Sequence, residues 1–239
     1  NVIGIVLTYS RLTVGLSAAA YMARAAREAA GYAGRRKAFG LEMARFPMVD
    51  NQIEDITRAS RRTTAGAFKL YGDFLATRDP GAGDMLFQRK KFAVRELIML
   101  QKITASKDCT DLLRTAMSLL GGHGVMEDFS SLPRLYRDSA VNELWEGSRN
   151  VLIAQIHRDI RKASEWYRPE DLAKDMLEGA EASAVKGMAE ELAALAASPD
   201  LFTLNESTKE RCRRLDDFCD RFTHAYQDLA VSEVTSASS

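Results

Sequence analysis

Residues 121–150 read GGHGVMEDFSSLPRLYRDSAVNELWEGSRN, and the rest of the chain is best understood outward from them. A glycine-rich turn at Gly121, Gly122 and Gly124 and a Glu146-Gly147-Ser148 turn flank a short, charged, helical segment. Ahead of the glycines, Leu112, Leu113, Ala116, Leu119 and Leu120 form the apolar face of a helix. Glycine suits a left-handed helix end, and it also suits a close approach of backbone to a ligand, so both readings stand for this turn. On the other side, Ser148 can cap a helix running to Ala163, whose N-terminus offers free N–H groups to an anion. Glu146 reads either as a solvated turn carboxylate or as a general base placed between an aromatic ring, Trp145, and an open helix end.

Helical signals extend in both directions. An alanine-rich segment from about Ser10 to Lys37 ends at Gly40. Asp50 can cap a second helix carrying Ile53, Ile56, Ser60, Thr63, Ala67, Leu70 and Phe74 at alternating spacings of three and four, before Asp79-Pro80-Gly81 stops it. A third helix spans about Asp84 to Leu120, with a bend expected near Ser106, and the fourth is Ser148 to Ala163. Long antiparallel helices with short loops predict an all-α, up-down four-helix bundle over residues 1–163. Downstream, residues 164–231 predict a helical extension. One helix is expected from Glu170 to Ala197, a break at Ser198-Pro199-Asp200, and a last helix opened by a Ser207-Thr208-Lys209-Glu210 capping box and fading near Ala230. An interaction or oligomer-packing role is expected for this extension, and residues 232–239 read as a disordered tail.

Composition narrows the function classes. The 239 residues carry 33 basic and 33 acidic side chains, so no global field holds a polyanion or an anionic membrane, and nucleic-acid binding is not indicated. Arg35-Arg36-Lys37 and Arg89-Lys90-Lys91 are local basic runs that suit solvated faces or phosphate contacts. Hydrophobic residues make up 46% with five prolines, which favours long helices. No apolar run reaches the roughly 18 residues of a membrane span, and Val2 to Leu7 is too short for a signal segment, so an intracellular location is expected. Cys109, Cys212 and Cys219 form no CxxC pair and leave an odd count, against a disulfide framework. Cys212 and Cys219 share a helical face with Leu215, Phe218, Phe222, Tyr226 and Leu229, which makes them small core residues. His123, His157 and His224 are too scattered to form a metal site.

At Gly121-Gly122-His123-Gly124, Arg137-Asp138-Ser139 and Glu146-Gly147-Ser148 the chain resembles the carboxy-terminal helical domain of the acyl-CoA dehydrogenase family, whose signature runs Gly-Gly-x-Gly, Arg-Asp-Ala, Glu-Gly-Thr. A second match lies upstream, where Tyr32-Ala33-Gly34-Arg35-Arg36-Lys37-Ala38-Phe39-Gly40 resembles the family's Tyr-Ala-x-x-Arg-x-x-Phe-Gly helix end. Leu132-Pro133-Arg134-Leu135-Tyr136 and Leu144-Trp145-Glu146-Gly147, with Pro47 in Arg45-Phe46-Pro47-Met48, look most like the branch that includes the bacterial alkylation-response flavoprotein.

The resemblance implies an FAD-dependent oxidoreductase of fatty acid metabolism in which Glu146 abstracts the α-proton of an acyl-CoA thioester and the β-hydrogen leaves as hydride to FAD. It implies that Arg36 contacts the flavin pyrophosphate, that Phe39 packs near the adenine half, and that Gly121, Gly122, Ser148 and Asn150 also meet the cofactor. Asn150 retains an amide where many members carry glutamine, whereas Ser118 stands where a glutamine is often found. Arg11 aligns with an arginine near the acyl pocket. The resemblance further implies a homo-oligomer, dimer or tetramer, with composite flavin sites, an electron-transfer acceptor as partner, and a cytoplasmic location, or the mitochondrial matrix in a eukaryote. Because the family places a helical domain and a β-domain ahead of this region, and the chain opens on Asn1, it reads as a fragment, a processed product or an incomplete record, and one reading is a domain of a larger enzyme that is inert alone. The alternative reading is a non-catalytic flavoprotein-family module serving assembly or stress response.

Overall fold

The computed structural model describes residues 2–78 and 83–237. Three long helices make the frame: α1 (Val2–Ala33), α2 (Pro47–Ala76) and α3 (Met85–Leu119). Between α1 and α2 the chain forms a small antiparallel hairpin, β1 (Lys37–Ala38) against β2 (Leu41–Glu42), with Lys37 opposite Glu42. A 3-10 turn at Gly121–Val125 leads to α4 (Leu132–Leu144) and α5 (Arg149–Ala163). The extension holds α6 (Pro169–Met176), α7 (Ala182–Ala196) and the long α8 (Glu206–Ala237).

Periodicity explains why α1 lies inside the bundle. Ala18, Met22, Ala25, Ala29 and Ala33 recur every three or four residues and are all fully buried. The first four of them cluster with Ala105, Cys109, Leu113 and Ala116 of α3 and Ile56 and Ala59 of α2, and the small side chains let the helices approach closely. A second core gathers on the other half of α3, where Val94, Leu97, Leu100 and Ile103 face Leu152 and Ile156 of α5, Leu172 of α6, Leu192 of α7 and Phe218 and Phe222 of α8. Every residue of α3 from Glu96 to Ser106 is buried, so α3 is the shared spine of both cores. Each large aliphatic side chain enclosed there is worth about 1.5–3 kcal/mol relative to exposure.

Helix ends follow local chemistry. Pro47, Pro133 and Pro169 sit in the first turns of α2, α4 and α6, where the missing N–H costs nothing. The Asp84 carboxylate accepts from Phe87 N at 2.8 Å and caps α3, which then runs unbroken past Ser106.

The fold is all-helical as expected, with several local differences. Helix α2 begins at Pro47, so Asp50 lies within its first turn. The expected single helix from Glu170 to Ala197 is two, because the chain turns through Gly179 at φ +95° and the Glu181 carboxylate caps α7 by accepting from Ser183 N and Ala184 N. The cap of α8 is Asn205, whose Oδ1 accepts from Thr208 N at 2.8 Å, in place of a Ser207 box. Helix α8 continues to Ala237 and takes up residues 232–237 of the expected disordered tail. Its Phe218, Cys219, Phe222 and Tyr226 are buried in the same core as α3 and α5, so the extension is built into the bundle. The Asp79-Pro80-Gly81 turn lies outside the described residues.

Candidate functional site

The two glycine turns stand at opposite ends of α4, whose 13 residues span about 20 Å. Each end collects a different set of candidate residues.

At the first end, Gly121 adopts φ +60° and Gly122 follows in the 3-10 turn after α3. Nothing lies within 4 Å of where a Cβ would stand on either residue. Their backbone therefore faces an open groove of about 640 Å³, lined by Arg36, Tyr32 and Met43 on one side and Ser118, Gly121, Gly122 and His123 on the other. Gly124 is the opposite case, since a Cβ there would lie 2.0 Å from the Met117 carbonyl oxygen. The groove wall is stiffened by His123, whose ring stacks on Phe129 at 4.3 Å and whose Nδ1 is 3.3 Å from the Tyr32 hydroxyl. A larger open depression of about 1000 Å³ adjoins it, lined by Arg24, Arg27, Arg35, Arg36 and Arg134 together with Glu28, Glu127 and Asp128. Phe39 is not in the groove. It stands at the hairpin tip with φ +48°, 99% exposed, its nearest ring partner being Phe46 at 6.4 Å between centroids.

At the other end, Glu146 is partly buried and adopts φ +59°, a region that non-glycine residues seldom enter. Gly147 follows at φ +102°, and a Cβ there would meet Leu152 Cδ2 at 2.8 Å. Arg11 of α1 donates from Nε to the Glu146 carbonyl oxygen at 3.0 Å. Lys102 of α3 donates from Nζ to the carbonyls of Glu143, at 3.0 Å, and Gly147, at 2.7 Å. Burial lowers the Arg11 guanidinium from its usual range, and the nearby Glu146 and Glu96 carboxylates oppose that shift. Burial also pushes the Lys102 ammonium down to about 8. Close to Arg11, the Glu96 carboxyl is enclosed, its Oε2 has no partner, and burial pushes it up to about 8 even though Arg95 bonds Oε1 at 2.8 and 3.0 Å.

Ser148 occupies the N-cap position of α5 but makes no side-chain capping bond, so its contribution to α5 is through its backbone carbonyl, which accepts from Leu152 N at 3.0 Å. Asn150 is exposed in the first turn of α5. Trp145 is half exposed, and its indole donates to Asn142 Oδ1 at 3.1 Å. Directly after the turn, Arg149 donates from Nε to Asp216 Oδ1 at 2.6 Å and from Nη1 to Asp220 Oδ1 at 2.9 Å, which ties the start of α5 to α8. Lys107 and Thr104 of α3 also bond Asp220, at 2.6 and 2.9 Å.

The structure thus gathers Arg36, Gly121 and Gly122 in one place and Arg11, Glu146 and Ser148 in another, and leaves Phe39 and Asn150 exposed to solvent. Lys102 and Arg149 are the contributors that sequence reading overlooks. The signal for Lys102 is a polar Gln101-Lys102 pair inside an otherwise apolar stretch of α3. Among the described residues no cluster of histidine, cysteine and carboxylate suited to a metal ion occurs, and no helix is long and apolar enough to cross a membrane.

Comparison with known proteins gives the family and the fold. The family model described as "Acyl-CoA dehydrogenase, C-terminal domain" matches residues 1–161. AidB of Escherichia coli (strain K12) is 29% identical over 158 residues, covering 66% of this chain and 28% of its own length. The solved structure "Bd2924 apo-form" superposes with a TM-score of 0.75 at 25% identity, over 98% of this chain and 42% of that one. An acyl-CoA dehydrogenase from Bacillus anthracis complexed with FAD shares the fold, with a TM-score of 0.68 at 18% identity over 95% of this chain and 42% of that one. The chain spans about a quarter of the length of the curated relatives it matches, 24% and 28% for two of them. With the family match covering the bundle and both glycine turns, the chain belongs to the acyl-CoA dehydrogenase family and carries its C-terminal helical domain.

Proposed function

We propose that the protein oxidises acyl-CoA thioesters at the α,β bond, with Glu146 as the base that removes the α-proton. FAD, when bound, supplies the acceptor for the β-hydrogen, which leaves as hydride as the C=C bond forms. The observation that carries this reading is the Glu146 turn: a carboxylate residue held at positive φ at the junction of α4 and α5, with its carbonyl fixed by Arg11 across the bundle. Backbone held in a sparsely populated region persists where the surroundings over-determine it, and such positions cluster at working sites.

The first end of α4 fits the phosphate portion of the cofactor. Arg36 offers a planar fork suited to two phosphate oxygens, and the bare backbone of Gly121 and Gly122 leaves room for a ligand to approach. Since α4 separates this end from Glu146, we assign the two ends to two different flavin sites, each completed by a neighbouring subunit of a homo-oligomer, dimer or tetramer. An electron-transfer protein is the partner expected to reoxidise the flavin.

Replacing Glu146 by Gln keeps the size of the side chain and removes the base. A positioned base is worth about 10²- to 10⁴-fold, so turnover should fall by that factor while flavin binding is kept. Turnover near wild type would end the assignment. A second reading, a non-catalytic flavin-binding module for assembly or stress response, is favoured by Ser118, which lines the groove beside Gly121 where the resemblance leads one to expect glutamine. It predicts bound flavin that no acyl-CoA reduces.

A further inference from the structure

We propose that Lys102 is a positioning residue for the Glu146 base, an inference that rests on the dehydrogenase reading above. Its Nζ bonds the carbonyls of Glu143 and Gly147, one on each side of Glu146. The Glu143 carbonyl lies in the last turn of α4, where the helix provides no partner of its own. The Gly147 carbonyl lies just ahead of α5, where the chain has left one helix without entering the next. A single ammonium group therefore bridges the end of α4 to the start of α5 from beneath.

The chemistry of the location argues against a packing role. Lys102 is 0% exposed in the middle of the most enclosed part of α3, between Gln101 and Ile103. An apolar side chain would fill that space without the desolvation that a buried ammonium suffers. What the ammonium adds is a pair of charge-assisted bonds to two main-chain oxygens of a part-buried turn, at 3.0 and 2.7 Å. Arg11 adds a third bond at the Glu146 carbonyl, so the turn is tied to α1 and α3 at once. Glu146 itself is at φ +59°, and with the bridge gone the turn loses both of the Lys102 bonds that hold it to α3 and can relax to an ordinary conformation. The carboxylate moves with the backbone, and misplacement of a catalytic group by about 1 Å can cost 10²-fold.

The test is Lys102→Met in the flavin-loaded protein, which keeps a long apolar stem and removes the donors. The expected result is a fall in kcat of about 10- to 100-fold with KM little changed, unaltered flavin content, and faster amide exchange across residues 145–149. Unchanged kcat with unchanged exchange at the turn overturns the proposal. So does a loss in which kcat, KM and flavin content decline together with the melting temperature, since that is the pattern of a purely structural lysine. Should Lys102→Met fail to fold, Lys102→Gln keeps a shorter, uncharged amide donor group and should give an intermediate kcat, and wild-type kcat there also overturns it. Amide exchange is read without turnover, so the tether can be judged separately from the base. Faster exchange in Lys102→Met, in a protein whose Glu146→Gln variant still turns over, sinks the base and leaves the tether standing.

Discussion

Of alanine substitutions in the Gly121–Gly124 turn, Gly124→Ala is the most severe, and its cost can be worked from the geometry. The new Cβ would stand 2.0 Å from the Met117 carbonyl oxygen, 2.7 Å from its carbon and 2.9 Å from its Cα, where ordinary contact begins near 3.4 Å. Main chain must therefore move by about 1.4 Å, the difference between 3.4 and 2.0 Å. The Met117 carbonyl accepts from Leu120 N at 3.1 Å at the end of α3, and the neighbouring Leu119 and Leu120 are buried. Losing that bond costs about 1 kcal/mol and overpacking about 1–3 kcal/mol more, so destabilisation of about 2–4 kcal/mol is expected. Gly121→Ala should cost about 1–2 kcal/mol for its left-handed backbone alone, and Gly122→Ala, with open space around it, less than about 0.5 kcal/mol. Denaturant midpoints of the three variants, compared at equal slope, give the order directly. Gly124→Ala with a midpoint at wild type, or Gly122→Ala equally damaging, would refute the reasoning.

Three further outcomes are expected. The Glu96 carboxyl is raised from its usual 4.5 to about 8, so the stability it contributes is fully present below pH 4.5 and is lost as pH rises to about 8. Glu96→Gln should remove a slope of up to about 1.4 kcal/mol per pH unit in that window, measured as denaturant midpoint against pH, and an unchanged slope counts against a buried neutral acid. Arg36→Lys should weaken FAD retention without changing the melting temperature, because an ammonium cannot reproduce a two-pronged grip; equal flavin affinity by titration removes Arg36 from the cofactor site. Arg149→Met removes the cation shared by the Asp216 and Asp220 carboxylates, one turn apart on α8, leaving only Lys107 as a cation on Asp220, and should lower stability by about 1–3 kcal/mol by denaturation. No loss there would mean that the tie between α5 and α8 is idle.

The bundle is legible in the sequence because its helices carry their own punctuation and periodicity. Ile56, Thr63, Ala67 and Leu70 mark the buried face of α2 by spacing alone, and alanine richness marks α1, whose Ala18, Met22, Ala25 and Ala29 are buried. The extension is harder. An Ala-, Glu- and Lys-rich run looks continuous from Glu170 to Ala197, whereas a five-residue turn with Gly179 at φ +95° and the Glu181 cap separates α6 from α7. The end of α8 departs further, since Ser232 and Ser236 sit in helix where serine-rich composition suggests disorder. Their hydroxyls bond back to the Leu229 and Ser232 carbonyls within the helix. At the candidate site, the resemblance singles out Glu146 and the Gly121-Gly122 turn, but the groups that hold the Glu146 turn come from far along the chain. Arg11 and Glu146 are 135 residues apart, and Lys102 and Gly147 45 apart, so no local pattern announces either contact.

The most direct test of the account is the absorbance of the oxidised flavin on mixing the FAD-loaded protein with a series of acyl-CoA thioesters, run side by side with Glu146→Gln. The account predicts that the wild-type flavin bleaches with at least one chain length, and that Glu146→Gln binds the same flavin and bleaches about 10²- to 10⁴-fold more slowly. Flavin that stays oxidised with every thioester, or that bleaches equally fast in the variant, contradicts it.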